Sequence, residues 1–311
     1  MILAIDFRTD IPAFYSEWIL NRFKEGFLYF RNPAYPATLH KVILDEEHIE
    51  GIIWCSKNYA PIMDRLHEIT DRFPSVFHCT LTGYNADIEP NAQFLLDDLK
   101  TIQELSRRYG KDHVVWRYDP IFYTDDWMDL RMHKSFFECY CDNLQGYVER
   151  CVINFLSLYE KVKRRMPDVK ELTYDQKIEI IQEFLRITQK YGIKLQTCGN
   201  GLQFKDLEGV EVTGCLDEHA LNTMGIYPKS LNKETEWGCK CYPHTSVGEY
   251  NTCLHKCKYC YASSDFDKCE ENFKKHDPNS PLLIGWPRGD EKIIEMKPKK
   301  LNLGTKQLEL F

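Results

Sequence analysis

The stretch TYDQKIEIIQEFLRITQKYGIKLQTC, residues 173–198, carries the alternation on which the fold turns. Thr173 followed three residues later by Gln176 has the spacing of a capping box, in which the two side chains satisfy free backbone N–H groups of the first turn. Ile178, Ile181, Phe184 and Leu185 then recur at helical spacing, so one face of the segment is apolar. Gly192 can stop the helix, because a glycine enters left-handed backbone without a Cβ clash. Residues 193–197, directly after it, read as a short strand. A capped helix running straight into a strand is half of a βα unit.

The same alternation runs back to the first residues. Short apolar or β-branched runs occur at 2–7, 27–31, 49–55, 76–82, 113–118 and 151–156, several of them apolar on both faces, as covered parallel strands should be. Between them lie helical stripes: Phe14, Trp18, Ile19 and Phe23; Ile62, Leu66, Ile69 and Phe73; Leu95, Leu99, Ile102 and Leu105; Phe136, Phe137, Tyr140 and Leu144. Gly110 can end the third after Tyr109. Strand and helix alternating every roughly 35–40 residues predict βα units and a parallel sheet. The seven strand candidates favour an α/β fold built as a (β/α) TIM-like barrel, complete or with strands missing, and the alternative is an open α/β sheet.

In such barrels functional side chains collect at the carboxyl ends of the strands. The residues just after the candidate strands are polar: Arg8-Thr9-Asp10, Arg31-Asn32, Lys57-Asn58, Thr82-Gly83-Tyr84, Arg117-Tyr118-Asp119 and Asn154. Each alone reads as a helix cap or a loop ion pair. Together, two Arg–Asp pairs and a lysine at one rim mark Arg8, Asp10, Lys57, Arg117 and Asp119 as pocket residues, for anchoring a cofactor or substrate or for proton transfer.

Composition narrows the class. A chain of 311 residues that is 43% hydrophobic and 13% aromatic can bury a large core, which excludes a disordered protein. With 40 basic and 47 acidic side chains the net charge is −7, so no broad basic surface is expected, although a local basic groove remains compatible. Asp6, Arg8 and Asp10 break any apolar leader, so no export signal is expected. No run approaches the roughly 18 apolar residues of a membrane span. A cytoplasmic setting follows, where clustered cysteines favour metal over disulfide. The chain divides into a barrel over 1–198 and a segment over 199–311, rich in Gly, Pro, Asn, Lys and Cys, that is expected to cover the barrel mouth.

Eight of the 13 cysteines fall between Cys198 and Cys269. Cys253, Cys257 and Cys260 form a C-x3-C-x2-C run. Three thiolates so spaced can ligate three irons of a 4Fe-4S cluster and leave the fourth iron open for a ligand. The alternative is zinc, with His255, Cys241 or Cys269 as fourth ligand, although zinc sites more often pair two C-x2-C halves. A second set, Cys198, Cys215, Cys239 and Cys241, suits a complete auxiliary cluster or a tetrahedral zinc, or else buried thiols acting as small hydrophobes. Cys55, Cys79, Cys139, Cys141, Cys151 and Cys269 have no partner at ligand spacing and read as core or surface thiols.

Tyr259, just before the third cysteine, completes a motif that resembles the cluster loop of radical S-adenosylmethionine (SAM) enzymes. That resemblance implies SAM on the open iron, reductive cleavage to a 5′-deoxyadenosyl radical, and an electron donor such as a flavodoxin or ferredoxin. Residues 8–15, Arg31-Asn32-Pro33, Trp54 with Lys57-Asn58, residues 80–84, residues 116–121 and the block from Tyr250 to Ala262 together resemble domain-of-unknown-function family 1848. Its C-terminal cysteine cluster is similar to the N-terminal cluster of radical SAM proteins, and Cys198, Cys215, Cys239 and Cys241 match its pattern too. The resemblance covers nearly the whole chain and brings no substrate with it. Cys55-Ser56 departs from the pattern, where a threonine commonly precedes the lysine. The cluster loop follows the last strand, as in a circular permutation.

The last residues, Gln307-Leu308-Glu309-Leu310-Phe311, resemble the short peptide with which bacterial replication and repair proteins dock on the sliding clamp. That reading points to a nucleic-acid substrate, with Lys297, Lys299 and Lys300 adding attraction for phosphates. The alternative to an enzyme is a metal-binding protein that the tail recruits to replication or repair; a third reading is an electron-transfer protein with both clusters fully ligated.

Overall fold

A computed structural model describes residues 1–5, 7–32, 35–229 and 240–297. Its strands are β1 (Ile2–Ile5), β2 (Phe27–Asn32), β3 (Tyr35–Ile43), β4 (Gly51–Ser56), β5 (Ser75–Thr80), β6 (Val114–Ile121), β7 (Arg150–Phe155), β8 (Lys194–Thr197), β9 (Val210–Val212), β10 (His244–Ser246) and β11 (Lys292–Glu295). The helices are α1 (Ile11–Phe14), α2 (Ser16–Glu25), α3 (His67–Thr70), α4 (Leu95–Tyr109), α5 (Leu130–Leu144), α6 (Glu160–Arg165), α7 (Tyr174–Tyr191), α8 (Glu218–Thr223) and α9 (Phe266–Phe273).

The fold is α/β. One eight-stranded sheet runs in the order β10-β1-β4-β5-β6-β7-β8-β9, and every neighbouring pair is parallel. Helix α7 shows both halves of the capping box expected at Thr173 and Gln176, and Gly192 closes it with φ at 65°. Its buried residues Ile180, Ile181, Phe184 and Ile187 pack against the outer face of the sheet with Phe137 and Tyr140 of α5. Phe137 and Phe184 stack with ring centroids 3.8 Å apart. The opposite face is lined by a second core that includes Ile2, Ala4, Ile53, Val76, Val115 and Val152, one or two from each of five strands. This is the two-sided burial that parallel strands require.

Three features differ from the sequence expectation. Residues 27–31 do form a strand, but β2 pairs antiparallel with β3 in a separate three-stranded sheet, β11-β3-β2, and adds nothing to the large one. The large sheet instead takes β9 and β10 from beyond residue 198, one at each edge. The stripe at Ile62, Leu66, Ile69 and Phe73 is buried as expected, yet mostly on successive turns, with only the single-turn α3 regular.

No strand pairing joins β9 to β10 among the described residues, so the sheet is open. The segments next to these edges nevertheless touch. Tyr242 N–H donates to Leu216 O at 2.9 Å, and Cys215 N–H to Cys241 Sγ at 3.1 Å. Gly214 permits the approach: a Cβ there would lie 2.5 Å from the backbone nitrogen of Cys241. No helix of the described residues is long and apolar enough to cross a membrane.

Candidate functional site

The carboxyl ends of β1, β4, β5, β6 and β7 surround a cavity of about 400 Å³, a volume within the ordinary range for small-molecule sites. Arg8, Asp10, Lys57, Arg117 and Asp119 all line it, and so do Cys253, Cys257, Cys260 and Tyr259. The rim residues and the first cysteine set, separated by over a hundred positions, thus face one space. Apolar wall comes from Phe7, Phe155, Leu156, Tyr159 and Tyr261.

The cysteine loop is fastened at several points. Both oxygens of buried Asp10 are occupied: they accept from Ala13 N–H at 3.0 Å, Ser56 Oγ–H at 2.6 Å, Lys57 N–H at 2.8 Å and His255 Nε2 at 2.8 Å. Asp10 therefore caps α1 and at the same time ties the ends of β1 and β4 to the loop. Asn91 grips the loop from the other side, its side chain donating to Leu254 O at 2.7 Å and its N–H to His255 O at 3.3 Å. Lys258 N–H donates to Ile88 O at 2.9 Å. Tyr15 Oη–H donates to Thr252 O at 2.7 Å, which docks the loop on the short α1–α2 junction. Asn251 and Lys256 are the non-glycine residues with positive φ among the described residues, at 58° and 57°. Both lie in the cysteine block, and backbone held in that region marks a loop whose shape matters.

Lys57 is not free. Its Nζ lies 3.0 Å from Glu89 Oε1 and donates to Thr82 Oγ1 at 3.3 Å. Burial works against its ammonium, but the Glu89 charge and the Cys257 sulfur more than offset this, so its pKa is raised. Glu89 also accepts from Thr82 Oγ–H at 2.8 Å and from the Tyr259 hydroxyl. This buried carboxylate was missed in the sequence, because it sits in a loop with no periodic pattern. It links Lys57 to the aromatic residue of the cysteine motif.

Burial raises the pKa of Cys253 and Cys257, so as free thiols they stay protonated. The donor set suits an iron–sulfur cluster in kind, three thiols on one cavity. The described residues contain no group of three or more Cys, His, Asp or Glu side chains gathered to hold a metal ion. Ligation would require the thiols to turn toward a common point.

The second cysteine set lies beside the same cavity. Arg117 pairs with Asp119, donates to Cys215 Sγ at 2.9 Å and reaches Cys198 Sγ at 3.8 Å. The Cys198 thiol hydrogen-bonds Cys215, raising its own pKa and lowering that of Cys215, which Cys241 and Arg117 lower further. Burial also works against the Arg117 guanidinium, and Cys215 and Asp119 hold it charged. Cys239 lies outside the described residues. Cys55, which the sequence reads as a core or surface thiol, lines the cavity as well. Cys269 is the buried residue of α9, its thiol donating to Asp265 O at 3.1 Å.

Residues 307–311, with Lys299 and Lys300, also lie outside the described residues.

The site thus belongs to an α/β protein whose strand ends and a late cysteine loop enclose one small-molecule-sized cavity. The chain is a member of the family described as Domain of unknown function (DUF1848), whose model matches residues 2–262. The match ends at Ala262, where the cysteine block closes. No curated protein and no solved structure matches the chain.

Proposed function

We propose that the chain is a radical SAM-type iron–sulfur enzyme, with the strand-end cavity as its reaction chamber. One observation carries the reading: Cys253, Cys257 and Cys260 face the same 400 Å³ cavity as Arg8, Lys57 and Arg117. Those three cysteines would hold a 4Fe-4S cluster, and Tyr259, which lines the same cavity, would help to bind the cofactor. The cluster with SAM would supply one-electron reductive cleavage of the sulfonium, the electron coming from a flavodoxin or ferredoxin. The chain's own work is positioning. Asp10 and Asn91 hold the loop, while Arg8 and Arg117 offer cations to carboxylate or phosphate groups. Phe7, Phe155 and Leu156 keep water from a reactive intermediate. The open sheet would be an incomplete (β/α) barrel, a reading that the Tyr242–Leu216 hydrogen bond between its edge segments supports. Among substrates, a nucleic acid is the class that the clamp-like tail sequence Gln307–Phe311 favours.

The test is anaerobic reconstitution with iron, sulfide, SAM and dithionite, followed by chromatography for 5′-deoxyadenosine. The wild type should release it, and Cys257→Ala should release none. A protein carrying a full cluster that leaves SAM intact would overturn the reading.

A further inference from the structure

One buried group inside the sheet is used by nothing described so far. His78, in the middle of β5, is fully buried, and neither of its ring nitrogens has a hydrogen-bond partner. A neutral imidazole has one N–H and one lone pair. Burying each without a partner forfeits its hydration with nothing in return, so an orphaned ring marks a place where a partner belongs.

Register and alternation show which side the ring takes. His78 stands level with Cys55 on β4 and Val115 on β6. Val76, two residues earlier and so on the same face of β5, packs in the core that Cys198, Leu216 and Tyr242 complete, with Cys55, Cys215 and Cys241 against it. The imidazole is therefore on the thiol-bearing side of the sheet, within electrostatic reach of Cys215 and Arg117. The thiols there are already linked, Cys198 to Cys215 and the Cys215 backbone to Cys241 Sγ.

We infer that His78, Cys198, Cys215 and Cys241 form a second centre that takes one borderline-soft divalent cation of the zinc class, with Arg117 as its counter-charge. Three sulfurs and one imidazole nitrogen make a complete tetrahedral set with no open position, that of a structural site. Each thiol releases its proton on ligation. Three thiolates, a neutral imidazole and a dication sum to −1, and Arg117, which also pairs with Asp119, sets its cation against that charge through its N–H to Cys215 at 2.9 Å. The donors do not stand at ligand spacing now, so loading draws the three thiols in around the ring. Cys239 is not needed. This centre, built from His78 and three thiols of the second cysteine set, is independent of SAM chemistry.

The experiment uses the full chain with Cys253, Cys257 and Cys260 all replaced by alanine, so that only the second centre reports. The metal-free protein is titrated anaerobically with Co²⁺ alone. One equivalent should bind, with a sulfur-to-cobalt charge-transfer band and the strong visible bands of tetrahedral cobalt. His78→Ala should weaken binding at least about tenfold and shift those bands. X-ray absorption on the same zinc-loaded triple variant, with His78 in place, gives an answer that needs no change at the second centre: three sulfurs near ~2.3 Å and one nitrogen near ~2.0 Å. Four sulfurs, or loss of binding in Cys239→Ala with His78→Ala unaffected, would overturn the inference. An unchanged cobalt affinity and spectrum in His78→Ala would do so as well, and would assign the ring to an internal water.

Discussion

Asp10 shows how a side chain placed correctly by sequence can have its role changed by geometry. Its position after β1 marks it for the cavity, and it does line it. Yet its two oxygens accept four hydrogen bonds, from Ala13, Ser56, Lys57 and His255, and this makes it a clamp first. Asp10→Asn leaves one acceptor oxygen and turns an NH2 toward at least one of these donors. Because the lost bonds are buried and charge-assisted, a stability loss of roughly 2–3 kcal/mol is expected in denaturant unfolding. The metal-free variant should also show faster maleimide labelling of Cys253, Cys257 and Cys260. Unchanged labelling rates would mean that Asn91 and Tyr15 hold the loop without Asp10. The rim positions Arg8 and Lys57 were legible for the same reason as Asp10, each following a strand whose apolar pattern announces where it ends, whereas Arg117 and Asp119 lie within β6, which runs on to Ile121. Glu89 and His78 were not legible. Glu89 sits in an irregular loop, and His78 resembles any polar residue in a half-apolar run until its buried, orphaned nitrogens are seen.

Among the elements, α7 was the most legible, because cap, stripe and stop all agree within one stretch. Its capping box gives a direct check. Thr173 Oγ1 accepts from Gln176 N–H at 3.2 Å and Gln176 Oε1 accepts from Thr173 N–H at 2.9 Å, both at the exposed end of the helix. Thr173→Ala should therefore cost about 1 kcal/mol, read as a lower urea midpoint with an unchanged slope, while Thr173→Ser should restore most of it. A loss near zero would show that the first turn of α7 is held by tertiary packing alone. The elements that sequence missed are short. Strands β9 and β10 have three residues each, too few to show a period, and they exist because β8 and β1 present open edges to them. Strand β2 carried a clear strand signal, but an apolar run does not say which sheet will receive it. The antiparallel partner β3 decided that, and β3 went unread because polar residues interrupt it.

At the scale of the whole molecule, acid is the condition to which this fold is most exposed. His133 is fully buried on α5, its Nε2 facing the Phe122 carbonyl at 2.8 Å and its Nδ1 the Tyr118 hydroxyl at 2.8 Å. A carbonyl only accepts, so Nε2 carries the proton and Nδ1 accepts from Tyr118. The neutral ring is satisfied, and burial lowers its pKa to about 4. An unfolded histidine titrates near ~6.5, so between about pH 6.5 and 4 the unfolded chain binds the proton and the folded chain does not. The stability linked to His133 is thus complete above about pH 6.5 and falls as pH drops toward 4, by up to roughly 3 kcal/mol at the end of that window. The effect reaches the cavity, because Tyr84 packs edge-on against His133 and its hydroxyl donates to Pro120 O on the cavity wall at 2.5 Å. Carboxylate pairs lose stability in acid as well, so the quantity to measure is a difference. Guanidinium unfolding of the metal-free wild type and of His133→Gln, compared from about pH 7.5 to 4.5, should show the variant less stable at neutral pH and the two curves converging as pH falls. Parallel curves would mean that the His133 ring gains its proton without strain in the fold, and that acid acts elsewhere.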